Sequence, residues 1–241
     1  DGQTASLSTL VDHLAAVEGV VRLRYTTSHP RDMDAALIEA HGRVSKLMPS
    51  LHLPVQSGSN RILKDMNRGY TVDDYLRTID LLRESRPDIA LSSDFIVGFP
   101  GETEADFEAT MRLVEKVKYA QAYSFKFSAR PGTPAASLGA QIDEATKSER
   151  LQTLQKLLTD QQSHFNDSMV GQRMAILLEK PGRYSHQLVG RSPYLQAVHV
   201  VARDDSTVLN IGDLVEVDIK SSHPNSLTGV WAKTLHSADP Q

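Results

Sequence analysis

The segment that decides the fold spans residues 92–110 and reads SSDFIVGFPGETEADFEAT. It predicts a strand, DFIVG, that ends at Phe-Pro-Gly and leads into an acidic helix opening at Glu102 or Thr103. Strand interiors disfavour Asp and Gly, so Asp94 and Gly98 indicate that a ligand docks where the strand ends. A plain strand–helix junction explains the segment equally well when it is considered alone.

The same alternation of strand and helix recurs along the first 170 residues. Strands are predicted at 20–25, 51–55, 89–98 and 121–127, and helices at 7–17, 34–47, 61–66, 72–85, 103–117 and 144–170. This order predicts right-handed βαβ units and a parallel sheet. The polar segments TTSHP, QSGS, GFPGET and SARPGT follow the four strands. Because ligands bind beyond the carboxyl ends of such strands, these segments predict a ligand-binding rim.

The pattern of predicted secondary structure changes near Gly171. Five short β-rich runs follow, RMAILLEK, QLVGRS, LQAVHVVA, DLVEVDIK and LTGVWAKT, and they predict a small all-β barrel. We therefore expect one domain at 1–170, a second at 171–236, and a tail at 237–241.

Composition narrows the class of protein. A net charge of -4 gives no overall electrostatic footprint of a nucleic-acid-binding protein. The sequence lacks a long apolar run and opens without the features of a signal peptide, so we expect a cytoplasmic protein that does not engage a membrane. The chain contains no cysteine, which excludes thiolate nucleophiles and cysteine-held metal clusters within these residues, and no metal ligands are predicted.

Four motifs, in order, carry a resemblance to a known family. They are RLRYTTSHPRDM, LHLPVQSGSNRILKDMNRGY, SSDFIVGFPGETEADFEATM and SFKFSARPGTPAA. With the β-barrel that follows, they resemble the MiaB-type tRNA methylthiotransferases, which are radical S-adenosylmethionine (SAM) enzymes. The barrel phrases GDLVEVDI and HPNSLTG resemble the TRAM module, an RNA-binding OB-like domain. The implied fold is α/β: the last four βα units of a partial (β/α)6 radical SAM TIM-like barrel, followed by a TRAM barrel.

The resemblance also implies a reaction, cofactors and partners. The family adds a methylthio group to C2 of N6-isopentenyladenosine at position 37, in the anticodon stem-loop of tRNA, and uses SAM, two 4Fe–4S clusters and an electron donor such as flavodoxin or ferredoxin. The sequence departs from the family in having no cysteine to hold either cluster. We therefore expect a fragment that starts after both sets of cluster ligands and is inactive alone.

The resemblance implies that three polar residues bind SAM. Gln56 would bind the ribose hydroxyls, and Arg68, twelve residues later, would pair with the carboxylate. Asp94 would face the barrel interior and accept from the ribose. The alternatives are a solvent-exposed turn for Gln56, a surface position for Arg68, and a bond to a neighbouring backbone amide for Asp94.

Further contacts are expected along the same rim. The predicted neighbours of the adenine and the barrel mouth are Ile96, Val97, Gly98 and Phe127. Ser128 and Arg130 are predicted to contact the substrate. Thr27 and His29 end the first strand on this rim, and we assign neither a proton-transfer role.

The barrel offers a weaker signal for RNA. Residues 171–236 contain seven Lys or Arg against six acidic residues. The candidate contacts, which would cluster on one face, are Arg183, Tyr184, Arg191, Lys220 and Lys233. A scatter of solvated surface charges explains them equally well without the resemblance.

Other functions remain open at this point. A sister methylthiotransferase would act on another tRNA adenosine or on a ribosomal protein. A non-catalytic RNA-binding module and a cofactor-independent, aldolase-like barrel are rivals of other classes. The aldolase interpretation requires a catalytic lysine or a metal triad at strand ends, and the sequence shows only Lys126, within a strand.

Overall fold

The computed structural model describes residues 6–27, 29–202 and 209–237. The chain forms two compact units, Asp1–Thr159 and Asp160–Gln241. Their division falls inside a long helix, and the domain boundary near Gly171 stays a prediction. No helix of the described ranges is both long and apolar enough to cross a membrane.

The first unit contains a three-stranded parallel sheet with the order β1-β2-β3. The strands are β1 (Ser50–His52), β2 (Ala90–Val97) and β3 (Gln121–Lys126). The helices are α1 (Leu7–Ala16), α2 (Ala35–Arg43), α3 (Asn60–Asp65), α4 (Val72–Ser85), α5 (Glu104–Val117) and α6 (Glu144–Asp167), which continues into the second unit. The predicted α/β class is confirmed.

The helix starts follow from their capping residues. Ser59 and Thr103 accept hydrogen bonds from Ile62 N and Asp106 N, and they begin α3 and α5. Thr71 forms a reciprocal capping box with Asp74 at the start of α4. These caps confirm the helix positions expected from the sequence.

The strand predicted at 20–25 does not form an extended ladder. The segment makes two isolated parallel bridges, Leu23 with Leu47 and Thr26 with His52. The register shifts by two residues between these bridges, so regular pairing cannot continue from one to the other. The segment thus runs alongside β1 in the predicted direction without being a strand.

The two faces of the sheet differ in burial. Ser93, Phe95 and Val97 point into a core shared with the helices, and Phe95 and Val97 are fully buried. The opposite face, here called the inner face, carries His52, Ser92, Asp94, Ile96, Tyr123 and Phe125, which share it by strand alternation and register. Phe125 is 53% exposed. The inner face is therefore accessible, and its upper end lies at the carboxyl ends of the strands.

The second unit is a closed five-stranded barrel. Its strands are β4 (Arg173–Pro181), β5 (Gln187–Arg191), β6 (Ala197–Val201), β7 (Leu214–His223) and β8 (Ser226–His236), in the order β4-β5-β6-β8-β7. Only β6 and β8 pair in parallel among these strands. Alternate residues fill the interior, including Ile176, Val198, Val200, Val215, Val217 and Leu227. All five strands occur where the sequence predicts them.

Candidate functional site

Gln56 holds a strained position just beyond β1. Its φ of +76° lies in the left-handed region that non-glycine residues rarely adopt. Its N–H donates to the Asp94 carbonyl at 2.9 Å, and its carbonyl accepts from Ile96 N at 2.9 Å. The side chain is 7% exposed, and its amide makes no hydrogen bond within the described residues. Two backbone hydrogen bonds thus hold a strained residue that keeps its amide free, a pattern typical of functional positions.

One carboxylate ties the turn after β1 to the turn after β2. Asp106, in the first turn of α5, accepts from Ser59 Oγ at 2.6 Å and from Thr103 N at 2.8 Å. Arg61 pairs with the same carboxylate and also donates to the Gly101 carbonyl at 2.7 Å. Although burial alone would raise it, the pKa of Asp106 is held well below its usual range by the hydrogen bonds from Ser59, Thr103 and Arg61. The acidic start of α5 therefore organises the rim.

This lowered pKa predicts acid sensitivity of the first unit. The unfolded-state value is 3.8, so the contribution of Asp106 to the free energy of unfolding is complete above that pH and is lost as the pH falls toward the folded-state pKa. Asp106→Asn is expected to lower the free energy of unfolding by about 2 kcal/mol more at pH 7 than at pH 2.5. Urea unfolding at the two pH values measures the difference. Asp80→Asn, an exposed carboxylate on α4, serves as the control, and an equal pH effect in both variants would contradict the assignment.

The loop after β2 is closed by a second carboxylate. Glu102 Oε2 accepts from Gly98 N at 2.7 Å and from Arg150 NH1 at 2.9 Å. Burial raises the pKa of Glu102, although both donors favour its ionised form. Gly98 has φ +71°, and any Cβ there would clash with Cγ of Lys147. Gly98 is therefore required by the loop itself, independently of a ligand.

A pocket of about 540 Å³ opens at the carboxyl ends of β2 and β3. It is lined by Ile96, Phe125, Lys126, Phe127, Ser128, Arg130, Thr133 and Ala135. Four of these, Ile96, Phe127, Ser128 and Arg130, are predicted site residues. Sequence reasoning missed Phe125, although its spacing of two from Phe127 places both on one face of the strand. The arrangement offers apolar walls with two cations and two hydroxyls nearby.

Val97 does not line this pocket. Its side chain is fully buried in the core, and its carbonyl accepts from Phe127 N at 2.8 Å. Strand alternation turns the Val97 side chain away from the face that Ile96 occupies, so only the backbone of Val97 could meet a ligand there, and that contact stays a prediction. Phe127 packs edge-to-face on Phe99, with ring centroids 5.2 Å apart, and this fixes the end of β3.

Arg68 lies two residues before Tyr70, which contacts the segment that follows β1. Its neighbour Tyr70 donates its hydroxyl to the Val55 carbonyl at 2.9 Å, one residue before Gln56. Burial raises the pKa of Tyr70 to about 12, and the positive charge of Arg68 acts in the opposite direction. His29 packs edge-to-face on Tyr70 at 4.9 Å. His29, Tyr70 of the NRGY segment, and Val55, which precedes QSGS, thus meet just beyond β1.

Thr27 and Asp94 also belong to this strand-end region. Thr27 is buried and donates its hydroxyl to the His52 carbonyl, so it fixes the backbone of β1. Asp94 lies on the inner face, where one carboxylate oxygen contacts the His52 ring. The alternative of a bond from Asp94 to a neighbouring backbone amide is not seen among the described contacts.

The candidate residues of the barrel lie on several strands and turns. Arg183 and Tyr184 lie together in the β4–β5 turn, with the guanidinium 5.8 Å from the ring centroid and Tyr184 67% exposed. Lys220 follows Ile219, whose N–H donates to Gln172 at the opposite end of β4. Arg183 and Lys220 thus lie towards opposite ends of β4, and a single face for this set stays a prediction.

The remaining two candidates are partnered within the barrel. Arg191 contacts Glu179 at 3.4 Å, and Lys233 contacts Glu216 at 3.4 Å. Arg183 and Tyr184 differ from these two in placing a cation beside an exposed aromatic face.

The described residues do not offer a metal site. No group of three or more His, Cys, Asp or Glu side chains gathers in the part of the chain that the structure describes. The whole sequence has no cysteine, so an iron–sulfur cluster does not fit the residues present.

Comparison with protein families identifies both parts of the chain. Residues 5–114 match the Radical SAM superfamily, and residues 167–231 match the TRAM domain. The chain thus consists of a radical SAM segment followed by a TRAM barrel. The superfamily implies SAM and iron–sulfur chemistry.

Similar curated proteins share one description, tRNA-2-methylthio-N(6)-dimethylallyladenosine synthase. The relative from Agrobacterium fabrum is 58% identical over 94% of this chain and 49% of its own length. The relative from Sphingopyxis alaskensis is 57% identical over 94% of this chain, and that from Maricaulis maris is 55% identical over 96% of this chain. The match takes in 50% of the length of each relative. The chain is homologous to these synthases, which confirms the family resemblance, and it spans about half of their length.

Proposed function

We propose that this chain is the SAM-binding wall and RNA-binding module of a tRNA methylthiotransferase. The complete protein would add a methylthio group at C2 of N6-isopentenyladenosine at position 37 of tRNA. The observation that carries the proposal is the meeting of the predicted polar segments at the carboxyl ends of one parallel sheet, in a chain homologous to synthases of this name across both units.

The residues at the rim fit the groups of SAM. Gln56 keeps its amide unbonded within the described residues and is held by two backbone hydrogen bonds, as a contact to ribose hydroxyls requires. Ile96 and Phe127 provide apolar surface for adenine in the adjacent pocket. Arg68 supplies a cation for the carboxylate near the end of β1. Bound SAM would supply the radical chemistry of the superfamily, and these residues would hold and orient it.

Iron–sulfur clusters belong to the proposal for the complete protein only. No cysteine is present in this chain, so we derive no step through a cluster here. Two clusters, their ligands, and an electron donor such as flavodoxin or ferredoxin would lie outside these residues. We place the complete protein in the cytoplasm, where its tRNA substrate would be met.

Substrate contacts are proposed at two places. In the first unit, Arg130 and Ser128 flank the apolar pocket and would meet the nucleotide that carries the target base. In the second unit, Arg183 and Tyr184 would contact the anticodon stem-loop by charge and stacking. Arg191, Lys220 and Lys233 would add phosphate contacts of lower weight, because two of them already face acidic partners.

RNA binding by the barrel tests the second part of the proposal. We expect Arg183→Ala in the 241-residue chain to weaken binding of an anticodon stem-loop that carries N6-dimethylallyladenosine, and to lower the slope of log affinity against log salt by about 1. Tyr184→Ala should cost about 1–3 kcal/mol through lost stacking, with little change in that slope. Fluorescence anisotropy at several salt concentrations measures both quantities.

Arg77→Ala is the matched control, because Arg77 is an exposed arginine on α4 in the first unit. It should leave both affinity and slope unchanged. If Arg183→Ala behaves like Arg77→Ala, the RNA contact lies elsewhere than the β4–β5 turn.

SAM binding tests the first part. The protein for this purpose is a chimera that joins residues 1–241 to the part of the Agrobacterium fabrum relative that this chain does not cover. Saturable SAM binding by this chimera is expected, and its absence would contradict the proposed cofactor site.

A further inference from the structure

His52 lies between two side chains of the neighbouring strand on the inner face. Its Nδ1 is 3.0 Å from Ser92 Oγ, and its Nε2 is 3.4 Å from Oδ2 of Asp94. The register makes this arrangement possible, since His52 pairs with Ser92 and Asp94 follows two residues later on the same face. The His52 side chain is 24% exposed and that of Asp94 is 32% exposed.

The contacts favour one tautomer of the neutral His52 ring. Asp94 as a carboxylate only accepts, so an Nε2 lone pair facing it would be repelled, and the proton therefore belongs on Nε2. In the neutral ring, Nδ1 then accepts from the Ser92 hydroxyl. Ser92, His52 and Asp94 form a directed series of contacts, in which the serine fixes the ring and the ring faces the carboxylate.

We propose that His52 is a positioning residue for the ligand carboxylate Asp94. The ring contacts Oδ2 at 3.4 Å, while Oδ1 contacts no other side chain within the described residues. The backbone of Asp94 accepts from Gln56 N at 2.9 Å, which places the two residues at the same level of the sheet. The oriented carboxylate is an acceptor for the vicinal hydroxyls of a nucleoside beside the Gln56 amide.

This inference rests on the proposed SAM site, but the contact itself is testable without SAM. His52→Leu and Asp94→Asn, alone and combined, form a double-mutant cycle for unfolding of the first unit in the 241-residue chain. We expect the pair to be coupled by about threefold to fivefold in the folding equilibrium constant, as for a partly exposed contact between a neutral donor and a carboxylate. Additive effects would overturn the inference whatever the cofactor.

The positioning role is measured by SAM titration of the chimera. His52→Leu should lower SAM affinity about fivefold when Asp94 is present, and should have almost no further effect in combination with Asp94→Asn. His52→Gln should retain most of the affinity, because its amide can place a donor near the Nε2 position. Ser50→Ala, one layer deeper on the same strand, should leave the affinity unchanged.

The outcomes separate the two proposals. If the wild-type chimera does not bind SAM, the proposed cofactor site fails, and the unfolding cycle alone decides whether His52 holds Asp94. If SAM binds but His52→Leu weakens it equally with and without the Asp94 carboxylate, the cofactor site stands and the positioning role is overturned.

Discussion

Arg150→Ala is expected to destabilise the first unit by about 3–5 kcal/mol, because it leaves a buried carboxylate without its cation. The Arg150 side chain is 9% exposed and that of Glu102 is 1% exposed. Arg150 also contacts Glu104 at 3.1 Å and lies over the Phe107 ring, 5.6 Å from its centroid. Its loss would therefore expose the loop after β2 and the start of α5 together.

Two optical probes separate the units during urea unfolding. Circular dichroism follows the helices, and the fluorescence of Trp231, the single tryptophan of the chain, follows the barrel. Arg112→Ala removes an exposed pair with Glu108 on α5 and should cost less than about 0.5 kcal/mol. Similar losses of unfolding free energy in Arg150→Ala and Arg112→Ala would show that the buried Glu102–Arg150 pair stabilises the unit no more than an exposed pair does.

A combined Arg150→Met and Glu102→Gln variant tests the reason for the loss. Removing both charges should recover part of the stability, since no uncompensated charge then remains. Gly98 N would still find an acceptor in the glutamine amide. A combined variant no more stable than Arg150→Ala alone would assign the loss to packing.

Arg68→Ala is expected to weaken SAM binding by the chimera roughly tenfold to a hundredfold, or about 1.5–3 kcal/mol, because it leaves the SAM carboxylate unpaired. Arg68→Lys should recover this only partly, since lysine cannot form the two-pronged contact. Calorimetric titration with SAM gives the affinity, and a stem-loop binding curve is measured in parallel.

Lys64→Ala is the matched control, because Lys64 is an exposed cation on the adjacent helix α3. It should not change SAM affinity. Unchanged SAM affinity in Arg68→Ala would show that Arg68 is a surface residue without a role in SAM binding. A selective loss of stem-loop binding would instead assign Arg68 to RNA contact.

The sequence predicted the architecture because its local signals agree with the tertiary fold. Capping residues such as Ser59 and Thr103 mark helix starts by short-range hydrogen bonds, which can be recognised from spacing alone. The 20–25 segment was harder to predict. Its composition favours a strand, but the pairing register with the chain before β1 decides whether a ladder forms, and that register is a long-range property.

The candidate site was predicted less completely than the fold. Strand alternation places the side chains of Ile96 and Val97 on opposite faces, whereas the sequence alone predicts both residues as neighbours of the adenine without that distinction. The role of Asp106 was not found, because it depends on Ser59 and Arg61, more than forty residues earlier in the chain. His52 was missed because its partners become neighbours only through the parallel register of β1 and β2.

The left-handed backbone at Gln56 sets thermodynamic stability against chemical function at a single position. Glycine would adopt φ +76° without steric cost, so folding alone favours glycine there by an amount of order 1 kcal/mol. Glycine would also remove the only amide that can face a ligand from that turn position. A selection for thermostability that ignores binding would therefore enrich glycine at residue 56. The enriched variants would be more stable and would bind the ligand less well.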